Sequence, residues 1–163
     1  MTVALSIRTA GENDVPAIVA LVNAAFAVER SFVDRDRTQA DEITAMMRKG
    51  TFLVVDDDRE GLLAGMYLER RGARAYLGML SIQPSQQGRG LGRGMMAAAE
   101  AHVRAWGCSA IDIRILNLRT ELPPFYLALG FVQTGVTDVV DDPQSRKPYH
   151  FILMTKGLGT RDW

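Results

Sequence analysis

The chain holds one cysteine, two histidines, no surplus of either charge and no long apolar run. Each shortage removes a class of function. A lone Cys108 excludes an internal disulfide, and His102 and His150, with no Cys/His spacing around them, do not suggest a zinc site. Lys and Arg number 19, as do Asp and Glu, for a net charge of zero. That argues against a dedicated nucleic-acid binder, which carries a positive excess. No stretch approaches the roughly 20 apolar residues of a membrane span. The opening MTVALSIRTAGEND also lacks the charged start, apolar run and small-residue cleavage site of a secretory signal. What remains reads as a reduced, cytoplasmic protein of 163 residues, enough for one domain over 1–163 with a core of its own.

The hydrophobic pattern orders the elements. VALSIRTA alternates like a strand, and ENDVPAIVALVNAAFAVE places Ile18, Leu21, Val22, Ala25 and Phe26 on one helical stripe, with Asn13 or Asp14 as cap. A second helix is expected from about Thr38, with Asp41 completing an approximate capping box and Gly50 ending it. TFLVVDD, GLLAGMYLERR and ARAYLGMLSIQP form an antiparallel meander broken by turn-like DDDREG and RRGA. A helix with Met96, Ala99, Val103 and Trp106 on one face follows. Next come the strand SAIDIRIL, the short helix LPPFYLALG, and the strands GFVQTGVT and YHFILMTK. The order is β-α-α-β-β-β-α-β-α-β-β.

Glycines are concentrated where that third helix begins, at positions 88, 90, 92 and 94 in QQGRGLGRG, together with Arg89 and Arg93. Bare backbone and positive charge at a helix start suit a phosphate, because first-turn N–H groups lack internal partners and the helix dipole is positive there. A P-loop is excluded, since no Gly-Lys-Ser/Thr occurs. A dinucleotide fingerprint matches once, from Gly92 to Ala97, but QPSQQGRGL separates it from the strand it should follow. A flexible glycine linker is the plain structural alternative.

A better frame begins at Gln87. Gln87-Gly88-Arg89-Gly90-Leu91-Gly92, between a strand and a helix, resembles the acyl-CoA pyrophosphate loop of the GNAT superfamily of N-acetyltransferases. FYLALGF, residues 125–131, is similar to that family's Tyr-x-x-Leu-Gly-Phe segment, and the order of elements is the family's. The resemblance implies an α/β (α+β) GNAT fold with a mixed, mostly antiparallel central sheet of about seven strands and about four flanking helices. It also implies acetyl-CoA as cosubstrate, held by Gln87, Gly88, Arg89, Gly90, Leu91, Gly92 and Arg93 at the pyrophosphate. Main-chain groups of Leu80, Ser81 and Ile82 and the side chain of Asn117 would meet the pantetheine arm.

Direct attack of an amine on a thioester requires the amine to lose a proton, the carbonyl oxygen to find a donor and the departing sulfur to be protonated. By resemblance, Tyr126 is the general acid toward the thiolate, and it also contacts the cofactor. Packing within PFYLALGF is the alternative role. Many relatives carry a glutamate on the fourth strand, where this chain has Tyr76, so the base has no matching residue. Glu69 is the candidate, with Glu29 and His150 behind it, while Glu121 would anchor its own loop or meet a cationic substrate. Asp34, Asp36, Asp141 and Asp142 stand in loops that would border the amine's entrance, where solvated loop charge explains them equally well. The acceptor is expected to be a small-molecule or peptide amine, and homodimers occur in the family. Without the strand glutamate, a CoA-binding regulatory or scaffolding domain is the rival reading.

Overall fold

The computed structural model describes residues 5–59 and 61–159. Seven strands form one sheet: β1 (Ile7–Thr9), β2 (Thr51–Asp56), β3 (Leu62–Arg71), β4 (Arg74–Ile82), β5 (Ala110–Leu116), β6 (Val132–Val136) and β7 (Phe151–Gly157). The helices are α1 (Val15–Ala25), α2 (Ala40–Lys49), α3 (Leu91–Ala105) and α4 (Leu122–Ala128). The sheet order is β1-β2-β3-β4-β5-β7-β6, antiparallel throughout except for the parallel pair β4 and β5. The expected order is therefore observed. No helix among the described residues is long and apolar enough to cross a membrane.

Two details differ from the sequence reading. The second helix is capped at Gln39, not Thr38, and no side chain caps it. Thr38 spends its hydroxyl on the Glu42 carboxylate instead. The first strand is short, Ile7–Thr9, and Val3 and Ala4 of the expected span lie outside the described residues.

Alternation along the strands builds two cores. Leu53, Val55, Met66, Leu68, Ala75 and Leu77 pack under α3 and α4 with Met95, Met96, Ala99 and Val103. Phe52, Val54 and Tyr67 face the other way, onto Ile18, Leu21, Val22 and Ile43 of α1 and α2. Both faces of the sheet are covered, which leaves the ligand a place within the sheet itself.

That place is a split between β4 and β5. The two strands pair only from Arg74–Tyr76 to Ala110–Asp112, after which β5 continues against β7 and β4 against β3. Past Tyr76, the edge of β4 that faces β5 has no strand partner. The same stretch carries a bulge: Gly65 opposes Ser81 and Tyr67 opposes Gly78, so β4 holds one residue more than β3 between these pairs. Met79, within the bulge, has φ 52, a left-handed conformation that residues with a side chain seldom adopt.

Candidate active site

A cavity of about 810 Å³ occupies the split. The end of β4 supplies Leu80 and Ile82 to its wall, the loop and α3 supply Gln87, Gly88, Gly90, Leu91, Gly92 and Arg93, and α4 supplies Tyr126. Arg89 is exposed beside them and outside the wall.

The four glycines of the loop divide the work. Gly88 and Gly90 have φ of 82 and 79, and a Cβ on either would meet nothing within 4 Å, so backbone conformation selects them. Gly90 caps α3. Gly92 and Gly94 are selected by contact: a Cβ would stand 3.0 Å from Phe125 Cζ at Gly92 and 2.6 Å from Leu5 Cδ1 at Gly94. Both lie inside α3, which also disposes of the dinucleotide frame, because Gly92-Arg93-Gly94 is helical rather than a turn after a strand. The first turn of α3 has no acidic residue and no side-chain cap, so its N–H groups face outward unopposed. Gln87 turns back and donates from Nε2 to the Ile82 carbonyl at 3.3 Å, closing the loop onto β4.

Tyr126 is 7% exposed and packs edge-on against Phe125 and Phe131, with ring centroids 5.0 and 5.4 Å away. Among the described residues nothing hydrogen-bonds its hydroxyl, and the hydroxyl is not sealed from solvent. Burial pushes the phenol up to about 12, a rise that the Arg119 charge partly offsets. At neutral pH it therefore keeps its proton and can donate it.

Three other candidates are engaged elsewhere. Ser81 is buried, and its hydroxyl donates to the Met79 carbonyl at 2.9 Å, tying down the bulge. Asn117 grips the start of β7: its N–H donates to His150 O and its Oδ1 accepts from His150 N, both at 3.0 Å. Glu69 accepts from the Tyr67 hydroxyl and from Arg71, each at 2.6 Å, and these bonds hold its carboxyl below the usual range. None of the three side chains lines the cavity. Tyr76 does, and its ring lies over Gly78, where a Cβ would come within 3.0 Å of the hydroxyl.

The opposite wall holds residues the sequence did not single out as a group. Arg119, between β5 and α4, bonds Glu29 at 2.7 Å and also bonds Glu121, while its own side chain is 11% exposed. Beside the cavity, which Val33 and Arg35 help to line, the connection after α1 is clamped to the loop before β7. Val33 bridges Ser145, Asp34 N–H donates to Gln144 O at 2.7 Å, and Arg146 N–H donates to Phe32 O at 2.8 Å. Arg35 pairs with Asp142 at 2.7 Å, and Tyr149 donates to the same carboxylate at 3.0 Å. This strap explains Asp142, and Asp36 is likewise paired, with Arg30 at 3.1 Å. In sequence these carboxylates read as attractors of a cationic amine or as solvated loop charge, because the pairing of 30–37 with 138–147 arises only in the fold.

The model of the acetyltransferase (GNAT) domain matches residues 21–154, and the chain belongs to that family. Its members use acetyl-CoA as cosubstrate and act on amines of small molecules or of proteins. The fold is shared with the ribosomal-protein-S18-alanine N-acetyltransferase from Escherichia coli, at 14% identity, TM-score 0.78 and 96% coverage of both chains. It is shared too with yncA from Salmonella typhimurium, solved with its cofactor acetyl-CoA, at 20% identity, TM-score 0.73 and coverage of 98% of this chain and 96% of that one. A nourseothricin acetyltransferase aligns at 17% identity and TM-score 0.75 over 96% of this chain and all of its own. No curated protein matches in sequence.

Proposed function

We propose that this protein is an N-acetyltransferase that moves an acetyl group from acetyl-CoA to a primary amine by direct attack, with Tyr126 as the acid toward the CoA sulfur. One observation carries this reading. The Tyr126 hydroxyl has no hydrogen-bond partner among the described residues, and it stands at the cavity that also exposes the α3 N-terminus and the unpaired edge of β4. The loop from Gln87 to Arg93 takes the pyrophosphate, its helix-start N–H groups supplying donors for the anion. Main-chain groups of Leu80, Ser81 and Ile82 take the pantetheine as an added strand would, and Asn117 supports that end of β5. Attack forms the C–N bond and breaks the C–S bond. The amine's proton leaves to solvent, and the sulfur accepts a hydrogen bond, then a proton, from Tyr126.

Water is assigned as the proton acceptor because the carboxylates on the cavity wall are engaged. Glu29 and Glu121 hold Arg119, Asp36 holds Arg30 and Glu42 holds Thr38. Glu69 sits outside the wall with its own two partners. The acceptor's own ionisation then sets the ascending, acid limb of the pH profile. Below the pKa of the amine, kcat/KM should rise about tenfold per pH unit and level off at that pKa, a different one for each acceptor. A limb that stays at one pH across acceptors of different pKa would point to an enzyme base.

The rival is a CoA-binding domain that does not turn over. Under both readings acetyl-CoA at about 100 times its Kd should stabilise the fold by about 2.7 kcal/mol, raising Tm by roughly 5–10 °C. Only the enzyme releases CoA thiol when amines are added. A broad amine panel read by thiol release separates them, and strong binding with no release would leave the binding domain standing.

A further inference from the structure

We propose that the acceptor amine carries a carboxylate of its own and that Arg114 holds it, an inference that rests on the acetyltransferase reading above. The side chains of β5 divide between the two faces of the sheet. Ile113 and Ile115 enter the core with Tyr126, Met95 and Met96. On the other face Leu116 packs with Val33 and Tyr149 of the strap, and Arg114 shares that face two residues earlier. Arg114 is thus on the strap side of the split, away from the face that carries Tyr126, and it lies two residues past the last β4–β5 pair. This is where an attacking amine must stand if the thioester lies in the split.

Two features fit Arg114 to an anion. Its guanidinium is stacked on the Phe151 ring, 3.9 Å from the centroid, which fixes its plane and leaves its N–H edges open. No carboxylate of the described residues lies within 4.0 Å of it, whereas on the same wall Arg35 has Asp142, Arg119 has Glu29 and Glu121, and Arg37 has Glu42 at 3.9 Å. A planar guanidinium held flat with free edges matches a carboxylate in bidentate geometry. Val33, Arg35 and Tyr149 of the strap line the same cavity as Arg114.

The test compares L-amino acids with their carboxamides and decarboxylated amines as acceptors, with acetyl-CoA as donor and CoA thiol release as readout. A set of carboxylate-free polyamines and arylamines is run alongside. Expressed per unprotonated amine, since the carboxamides have the lower amine pKa, the acids should exceed their carboxamides by roughly tenfold or more in kcat/KM. Arg114→Gln should erase that margin by raising the acceptor KM, with the KM for acetyl-CoA within about twofold of the parent and an unchanged melting curve. Arg114→Lys should keep part of the preference, since it keeps the charge and loses the fork. Equal turnover of acids and carboxamides, turnover confined to carboxylate-free amines, or a variant that alters only the acetyl-CoA KM would each overturn the assignment and leave the acetyltransferase intact. Absence of thiol release with every amine would instead overturn the acetyltransferase reading, and this inference with it.

Discussion

Tyr126→Phe is expected to lower kcat by about 10²-fold or more, while acetyl-CoA still binds and the protein melts near the parent temperature. The hydroxyl has no protein partner among the described residues, so its loss leaves no buried group unpaired. The ring keeps its edge-on contacts with Phe125 and Phe131, so packing is preserved. The effect should depend on the leaving group. A phenol held near 12 is a weaker acid than a free thiol, so it assists only as negative charge gathers on sulfur. A thioester with a more acidic thiol needs less help, and the ratio of parent to variant should shrink with it. A variant with parental kcat would remove Tyr126 from the mechanism and leave it as one of three packed rings.

Arg119→Met is expected to cost about 2–3 kcal/mol of stability, or roughly 5–10 °C in Tm. The arginine is 11% exposed and Glu29 16%, so removing the cation leaves a largely buried carboxylate without its partner. Glu121 is 58% exposed and contributes little to this cost, because water replaces the lost partner. The second substitution Glu29→Gln, made on Arg119→Met, should recover most of the loss, a coupling that thermal unfolding of the two singles and the double measures directly. An unchanged Tm in the single variant would show that the pair carries no stability. Arg119 also lowers the rise in the Tyr126 pKa, so the variant should be slower as well as less stable.

The order of elements was legible because each strand and helix carries its own periodicity, as in the alternation of Ile111, Ile113 and Ile115 against Asp112 and Arg114. The helix stops at Gly107 and Gly130 were equally clear, and both have positive φ. The loop from Gln87 was readable for a different reason, since close approach to a helix start leaves a compositional trace. What escaped depends on contacts between distant segments. The bulge at Met79 follows from the register of β4 against β3, and no residue type announces it. The partnership of Glu29 with Arg119, 90 positions apart, and of Arg35 with Asp142 arises only when the loops meet beside the cavity. Arg114 read as the polar half of an alternating strand. Only the departure of β4 after Tyr76 opens a cavity beside that exposed polar face.

Gly92 and Phe125 meet where there is no side chain to spare: the ring carbon is 3.0 Å from where a Cβ would be. Gly92 belongs to the first turn of α3, and Phe125 immediately precedes Tyr126. The donor in the proposed reaction is long, with its pyrophosphate at one end and its thioester at the other, so anchor and acid must stand a fixed span apart. This single contact acts as the gauge of that span. A methyl group added by Gly92→Ala would have to displace the Phe125 ring by a few tenths of an ångström, and that ring packs directly against the acid, Tyr126.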